Sequence, residues 1–170
     1  MIEVFDEGLH SGVNLALEVG TVLYRDKTEH QDLIIFENNT FGRVMSLDGA
    51  IQTTENDEYI YHEMFAHVPI LAHGAVKKVL IIGGGDGGAA RQVLKHKGIG
   101  VTLVDIDRTV IDLSMKYLPS ISGGAFEDPR LQIVVTDGCR FVKETEERWD
   151  IIIIDSTDPH GPGEVLYTQE

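Results

Sequence analysis

The feature that most constrains this chain is a change of hydrophobic period near Lys77. Beyond it, unbroken apolar runs alternate with helix-like segments. The runs are Val79-Leu80-Ile81-Ile82, Val101-Thr102-Leu103-Val104, Leu131 to Val135, and Asp150 to Asp155 with its four isoleucines. Ala89 to His96, Asp107 to Tyr117 and Cys139 to Thr145 read as the intervening helices. Continuous apolar strands separated by helices form a parallel sheet buried on both faces, joined by right-handed crossovers. Residues 119–129, with Pro119, Gly123, Gly124 and Pro129, read as a loop.

The first third has a different character. Asn14 to Val19, Gly20 to Arg25, Gln31 to Asn38, Gly42 to Leu47 and Ala50 to Thr54 read as short strands. Asp48-Gly49 between two apolar runs is a strong hairpin signal. Residues 56–73 read as a helix capped by Asn56 or Asp57, with Tyr59, His62, Met64, Phe65, Val68 and Leu71 on its apolar face. Pro69 marks its last turn or a kink. The expected organisation is α/β: a small antiparallel β domain over 1–55, then a Rossmann-like domain over 56–170. A β unit of that size needs to pack on the next domain or on another subunit.

Charge narrows the class of partner. The chain of 170 residues carries a formal net charge of −14. Such a surface repels phosphate backbones, which disfavours nucleic acid, and attracts cations without selectivity. Cys139 is the only cysteine, so no intrachain disulfide is possible and a reducing compartment is expected. No apolar run is long enough to span a membrane, and Glu3, Asp6 and Glu7 stand where a leader would carry basic residues. The expectation is a cytoplasmic protein.

Every strand of the second half ends in an acidic residue. The first runs through Gly83-Gly84-Gly85 into Asp86. The others end at Asp105, Asp137 and Asp155, with Asp107 and Asp158 close behind. In a parallel sheet all strand C-termini share one edge, where ligands bind. Each Asp also has a purely structural use as a helix N-cap, but four on one rim point to a shared crevice. The glycine run allows a sharp strand-to-helix turn and close ligand approach. It lacks the Lys-Ser/Thr of a P-loop, and Asp86 inside it would repel a pyrophosphate. Asp105 lies 19 residues after Asp86, the spacing of an acidic residue that accepts from both ribose hydroxyls. Asp137 with Gly138 could accept from an adenine amino group beside an unobstructed ring. The crevice therefore suits adenosine bearing a cationic substituent and no phosphate, as in a sulfonium nucleoside.

Gly83-Gly84-Gly85-Asp86-Gly87-Gly88 and Asp155-Ser156-Thr157-Asp158-Pro159-His160-Gly161-Pro162 resemble the two signature stretches of spermidine synthases, the polyamine aminopropyltransferases. His30-Gln31-Asp32-Leu33, Asp48-Gly49 and Glu58-Tyr59-Ile60-Tyr61-His62-Glu63 resemble the same family, so the likeness covers nearly the whole chain. It implies an N-terminal β domain, which in the family forms oligomers, and a Rossmann-like methyltransferase-type domain. It implies Asp155 as general base. Tyr61, His62, Asp86, Ser156, Thr157 and Asp158 would contact polyamine or aminopropyl groups. Gln31, Asp105, Asp137, Gly138 and Pro162 would contact the nucleoside. The substrates would be putrescine and decarboxylated S-adenosylmethionine, the latter as co-substrate, with no tightly bound cofactor and no metal. Three departures stand out, one of them a slightly short crossover before Asp105. The ribose position is usually Glu and is Asp105 here. Full members also continue past the position of Glu170, so the resemblance implies a catalytic domain cut short at its C-terminal end. A sheet stopping at its fourth strand would expose an edge or an apolar face, so a partner chain or reduced stability is expected.

The implied reaction is displacement at carbon by an amine that must first lose a proton. Two other readings are open. A methyltransferase on the same fold would need a site for the carboxylate of S-adenosylmethionine, which Asp86 opposes. A non-catalytic module would bind nucleoside or polyamine without turnover.

Overall fold

The computed structural model describes residues 2–156 and Leu166. The chain divides into two compact units, Met1–Glu58 and Tyr59–Glu170, against a sequence boundary expected after residue 55.

The first unit contains six strands. β1 (Glu3–His10) and β2 (Val13–Val19) form an antiparallel hairpin. β3 (Val22–Lys27), β4 (Asp32–Asn38), β5 (Gly42–Leu47) and β6 (Ala50–Thr54) form a four-stranded antiparallel meander. Leu47 pairs with Ala50, so Asp48-Gly49 closes a two-residue loop. Both loop residues have positive φ, 49° and 81°, as a turn matching strand twist requires. Leu17, Val19, Phe36 and Val44 are buried together, and Phe5 lies 5.4 Å from Phe36 ring to ring.

β1 was not expected from sequence. Its inward positions are Phe5 and Glu7, so a carboxylate interrupts the apolar alternation that would have marked a strand. Glu7 has a reason to face in: its Oε1 accepts from the Ile51 backbone N–H at 2.9 Å.

The second unit opens with α1 (Glu58–His73), which runs through Pro69. Among the described residues a four-stranded sheet follows: β7 (Lys78–Gly83), β8 (Gly100–Asp105), β9 (Leu131–Val135) and β10 (Ile151–Asp155). The order is β10-β7-β8-β9, all neighbours parallel. α2 (Gly88–Leu94), α3 (Arg108–Tyr117) and α5 (Gly138–Glu144) connect the strands. One face buries Val79, Ile81, Val101 and Leu103 against Ala66 and Ile70 of α1, Ala89, Ala90 and Val93 of α2, and Ile111 of α3. On the other face Leu80, Ile82 and Val104 pack with Phe141 of α5 and Trp149. This is the expected α/β architecture.

Two expectations are corrected. Residues 119–129 are not a plain loop: α4 (Pro119–Ser122) and a 3-10 turn (Ala125–Glu127) occupy them. Pro119 starts α4 with a preset φ, Gly123 ends it at φ 51°, and Ile121 is fully buried. The apolar face of α1 was also misassigned. Its buried residues are Glu58, His62, Ala66 and Ile70, spaced by four. Tyr59, Met64, Val68 and Leu71 are exposed, as are Ile152 and Ile154 on β10, an edge strand among the described residues. α1 is apolar nearly all round, so periodicity could not choose its buried side.

Candidate active site

Glycine brings the strand ends together. Gly83, Gly84 and Gly87 hold φ of 82°, 70° and 80°, a region other residues seldom adopt. The Gly84 N–H donates to the Asp155 carbonyl at 2.8 Å, which joins the ends of β7 and β10. A Cβ on Gly83 would run into that same carbonyl. Asp155 is thereby fixed beside the loop that carries Asp86.

Four side chains from three segments then converge. The Tyr61 hydroxyl, on α1, donates to Asp155 Oδ1 at 2.9 Å. His62 Nε2 lies 3.5 Å from Asp86 Oδ2, and both residues are buried. Asp86 Oδ1 accepts from the Gly88 N–H at 2.8 Å. Ligand atoms of His62, Asp86 and Asp155 all lie within 4.8 Å of one another. The His62 ring fills the space a side chain at Gly88 would need. His62 therefore packs on the glycine loop and faces Asp86 from the same position.

The electrostatics follow from this crowding. Asp155 is half-buried, and loss of water around its carboxyl raises its pKa from 3.8 to about 6, with the charge of Asp86 adding to the rise. His62 and the Tyr61 hydrogen bond act the other way. Tyr61→Phe removes that stabilisation of the anion. The expected result is an Asp155 titration midpoint above that of the parent, read by NMR titration of its carboxyl carbon.

Asp105, at the end of β8, shares the edge. Its pKa is also raised to about 6, first by burial. Its Oδ1 accepts from the Asp107 N–H at 2.8 Å, and a Cβ on Gly85 would approach its Oδ2 to 2.7 Å. The carboxyl thus lies directly against the glycine loop. Asp107 caps α3 through the Thr109 N–H at 2.9 Å. Asp137, at the end of β9, caps α5 through the Arg140 N–H at 2.7 Å. The bare Cα of Gly138 packs on Ile82, so that glycine has a packing role as well. Cys139 is half-buried, not fully enclosed.

The structure brings Tyr61, His62, Asp86, Asp105 and Asp155 together at the strand-end edge of the parallel sheet, with Ser156 next in sequence. Gln31 lies in the first unit, in a turn where its carbonyl accepts from the Thr28 N–H at 2.8 Å. Thr157, Asp158 and Pro162 lie outside the described residues. The Tyr61–Asp155 hydrogen bond spans 94 residues; no spacing rule could have paired them.

Known proteins resemble this chain in sequence and fold. Residues 4–55 match the family described as spermidine synthase tetramerisation domain, and residues 58–170 the spermine/spermidine synthase domain. A polyamine aminopropyltransferase of Ruegeria sp. (strain TM1040) is 60% identical over 163 residues, covering 95% of this chain and 57% of that protein. Polyamine aminopropyltransferase 1 of Pseudomonas aeruginosa is 58% identical over 166 residues, covering 97% and 58%. A crystal structure of spermidine synthase in complex with the transition-state analogue AdoDATO superposes with a TM-score of 0.93 at 45% identity, covering 98% of this chain and 57% of that one. That of spermidine synthase from Thermotoga maritima gives 0.86 at 44% identity, covering 91% and 54%. The chain thus spans a little under three-fifths of the length of these relatives. With both family domains matched along it, this chain belongs to the spermine/spermidine synthase family.

Proposed function

We propose that this chain carries the transfer site of a polyamine aminopropyltransferase, moving the aminopropyl group of decarboxylated S-adenosylmethionine to putrescine. The observation that carries the reading is the convergence of Asp155, Asp86, His62 and Tyr61 beside a glycine loop without phosphate-binding chemistry. In this reading the amine lone pair attacks the carbon bonded to the sulfonium. The C–S bond breaks, its electrons return to sulfur, and methylthioadenosine leaves neutral. The amine proton goes to Asp155.

The obstacle is the nucleophile. An alkylammonium loses its proton near pH 10.4. A carboxylate raised from 3.8 to about 6 narrows the energetic gap to that amine by roughly 3 kcal/mol relative to an ordinary one. Asp86 anchors charge at the other end of the transferred or accepting group. Asp158 serves the second amine in the family's pattern. Asp105 accepts from the ribose hydroxyls and Asp137 with Gly138 meets adenine. Gln31 and Pro162 complete the nucleoside contacts, and Ser156 and Thr157 line the polyamine path. No tightly bound cofactor takes part; decarboxylated S-adenosylmethionine is a co-substrate.

The same reading makes the protein a homo-oligomer in the cytoplasm. The tetramerisation-domain match supports the oligomer. So do the exposed Val4, Leu9, Val13 and Leu15 of the β1–β2 hairpin. No described helix is long and apolar enough to cross a membrane.

Calorimetric titration with methylthioadenosine, then putrescine, tests the site. The expected result is one site for each per chain, with putrescine binding weakened by Asp86→Asn. Absence of binding by both ligands would overturn the reading. Binding of both with no spermidine formed from decarboxylated S-adenosylmethionine would favour the non-catalytic alternative.

A further inference from the structure

We infer that the His62–Asp86–Asp155 cluster is also a transition-metal site, and that a zinc-class divalent cation occupying it blocks the amine position. The geometry has three parts. First, the three ligand atoms lie within 4.8 Å of one another, and His62 Nε2 is 3.5 Å from Asp86 Oδ2. A tetrahedral ion with bonds of about 2.0–2.2 Å holds its ligands roughly 3.3–3.6 Å apart. The His62–Asp86 pair already meets that spacing, and the 4.8 Å bound on the cluster leaves Asp155 within an adjustment on the order of 1 Å of it.

Second, hydrogen bonds already orient both carboxylates. Asp86 Oδ1 is held by the Gly88 N–H at 2.8 Å, and Asp155 Oδ1 by the Tyr61 hydroxyl at 2.9 Å. Outer partners of this kind fix metal-ligating groups and raise affinity. Third, the donors select the ion. One imidazole with two carboxylates suits zinc, nickel or copper. Three ligands are too few for calcium, which takes six to eight oxygens, and an imidazole is a poor donor for magnesium. The fourth position is left to water, so the ion would sit where the polyamine ammonium must lie and would hold the Asp155 carboxylate away from it. Only this inhibitory consequence rests on the proposed function. The metal site itself stands on the cluster.

The test is calorimetric titration of zinc chloride into chelator-treated full chain, without substrates. The parent is expected to bind one zinc per chain and to give no heat with magnesium chloride. Loss of outer partners alone costs about 10–100-fold in metal affinity, so His62→Ala and Asp155→Asn are each expected to weaken zinc at least ~10-fold. Asp155→Asn removes a raised carboxyl and keeps the arm readable if His62→Ala fails to fold. His67→Ala is the control, because His67 Nδ1 and His96 Nε2 form a second imidazole pair 2.8 Å apart. It is expected to bind zinc as the parent does. Zinc is further expected to abolish putrescine heats, and a chelator to restore them. No zinc binding by the parent overturns the inference. So does affinity unchanged in both His62→Ala and Asp155→Asn, or lost in His67→Ala. If putrescine gives no heat with the metal-free parent, the amine reading falls while the zinc result still stands or falls on its own variants.

Discussion

Asp155→Asn is expected to slow aminopropyl transfer by about 10²–10⁴-fold, the usual worth of a positioned general base. Asn keeps the shape and can accept from the Tyr61 hydroxyl, but it cannot take the amine proton. The same change is expected to stabilise the fold at neutral pH. The sign follows from the raised pKa. Folded Asp155 holds its proton up to about pH 6, whereas an ordinary carboxyl releases it near 3.8. Between those values the folded chain binds more protons, so the contribution of Asp155 to stability falls as pH rises. Above about 6 the full cost of a desolvated anion beside Asp86 is present. Asn carries no such cost. The expected gain is roughly 1–3 kcal/mol at pH 7, shrinking toward pH 4, read from denaturant unfolding of both proteins across that range. A variant that is both slower and less stable at pH 7 would contradict the electrostatic account of the site.

Gly83→Ala is expected to have the largest effect on the fold. Gly83 sits at φ 82° with its Cα against the Asp155 carbonyl. A methyl group there meets two costs. Left-handed backbone in a non-glycine residue costs about 1–3 kcal/mol. Overpacking a junction with no room costs about 1–3 kcal/mol more. The neighbour is backbone, so it cannot rotate aside. The ends of β7 and β10 must part, which breaks the Gly84–Asp155 hydrogen bond and displaces Asp155. The expected outcome is a Tm lower by roughly 5–20 °C, with turnover lost in whatever fraction stays folded. Gly49→Ala is the contrast. It also has positive φ, 81°, but a Cβ there meets nothing within 4 Å, so only the strain applies.

The sheet and the acidic rim were legible because both rest on strong local signals. Four apolar runs announce buried parallel strands, and an Asp at each strand end must fall on one edge. What sequence could not supply was the division of labour among those carboxylates. Asp137 and Asp107 cap helices, while Asp155 and Asp105 are crowded enough for their pKa values to rise. That distinction depends on burial and on neighbours far away in the chain. The orientation of α1 was hidden for a related reason. With apolar residues on most sides, its buried edge is chosen by the sheet it covers, and that edge puts buried His62 beside Asp86. β1 was missed because Glu7 faces inward to serve a backbone N–H. The family resemblance named Tyr61 and His62 as contacts; the structure adds what each of them holds.

Asp155 as the base of the proposed aminopropyl transfer is tested by single-turnover transfer from decarboxylated S-adenosylmethionine to putrescine, followed against pH. The predicted result is a rate that rises through about pH 6 and then levels, with Asp155→Asn at least ~10²-fold slower and lacking that step. A parent rate with no step near 6, or an Asn variant turning over at the parent's rate, would contradict it.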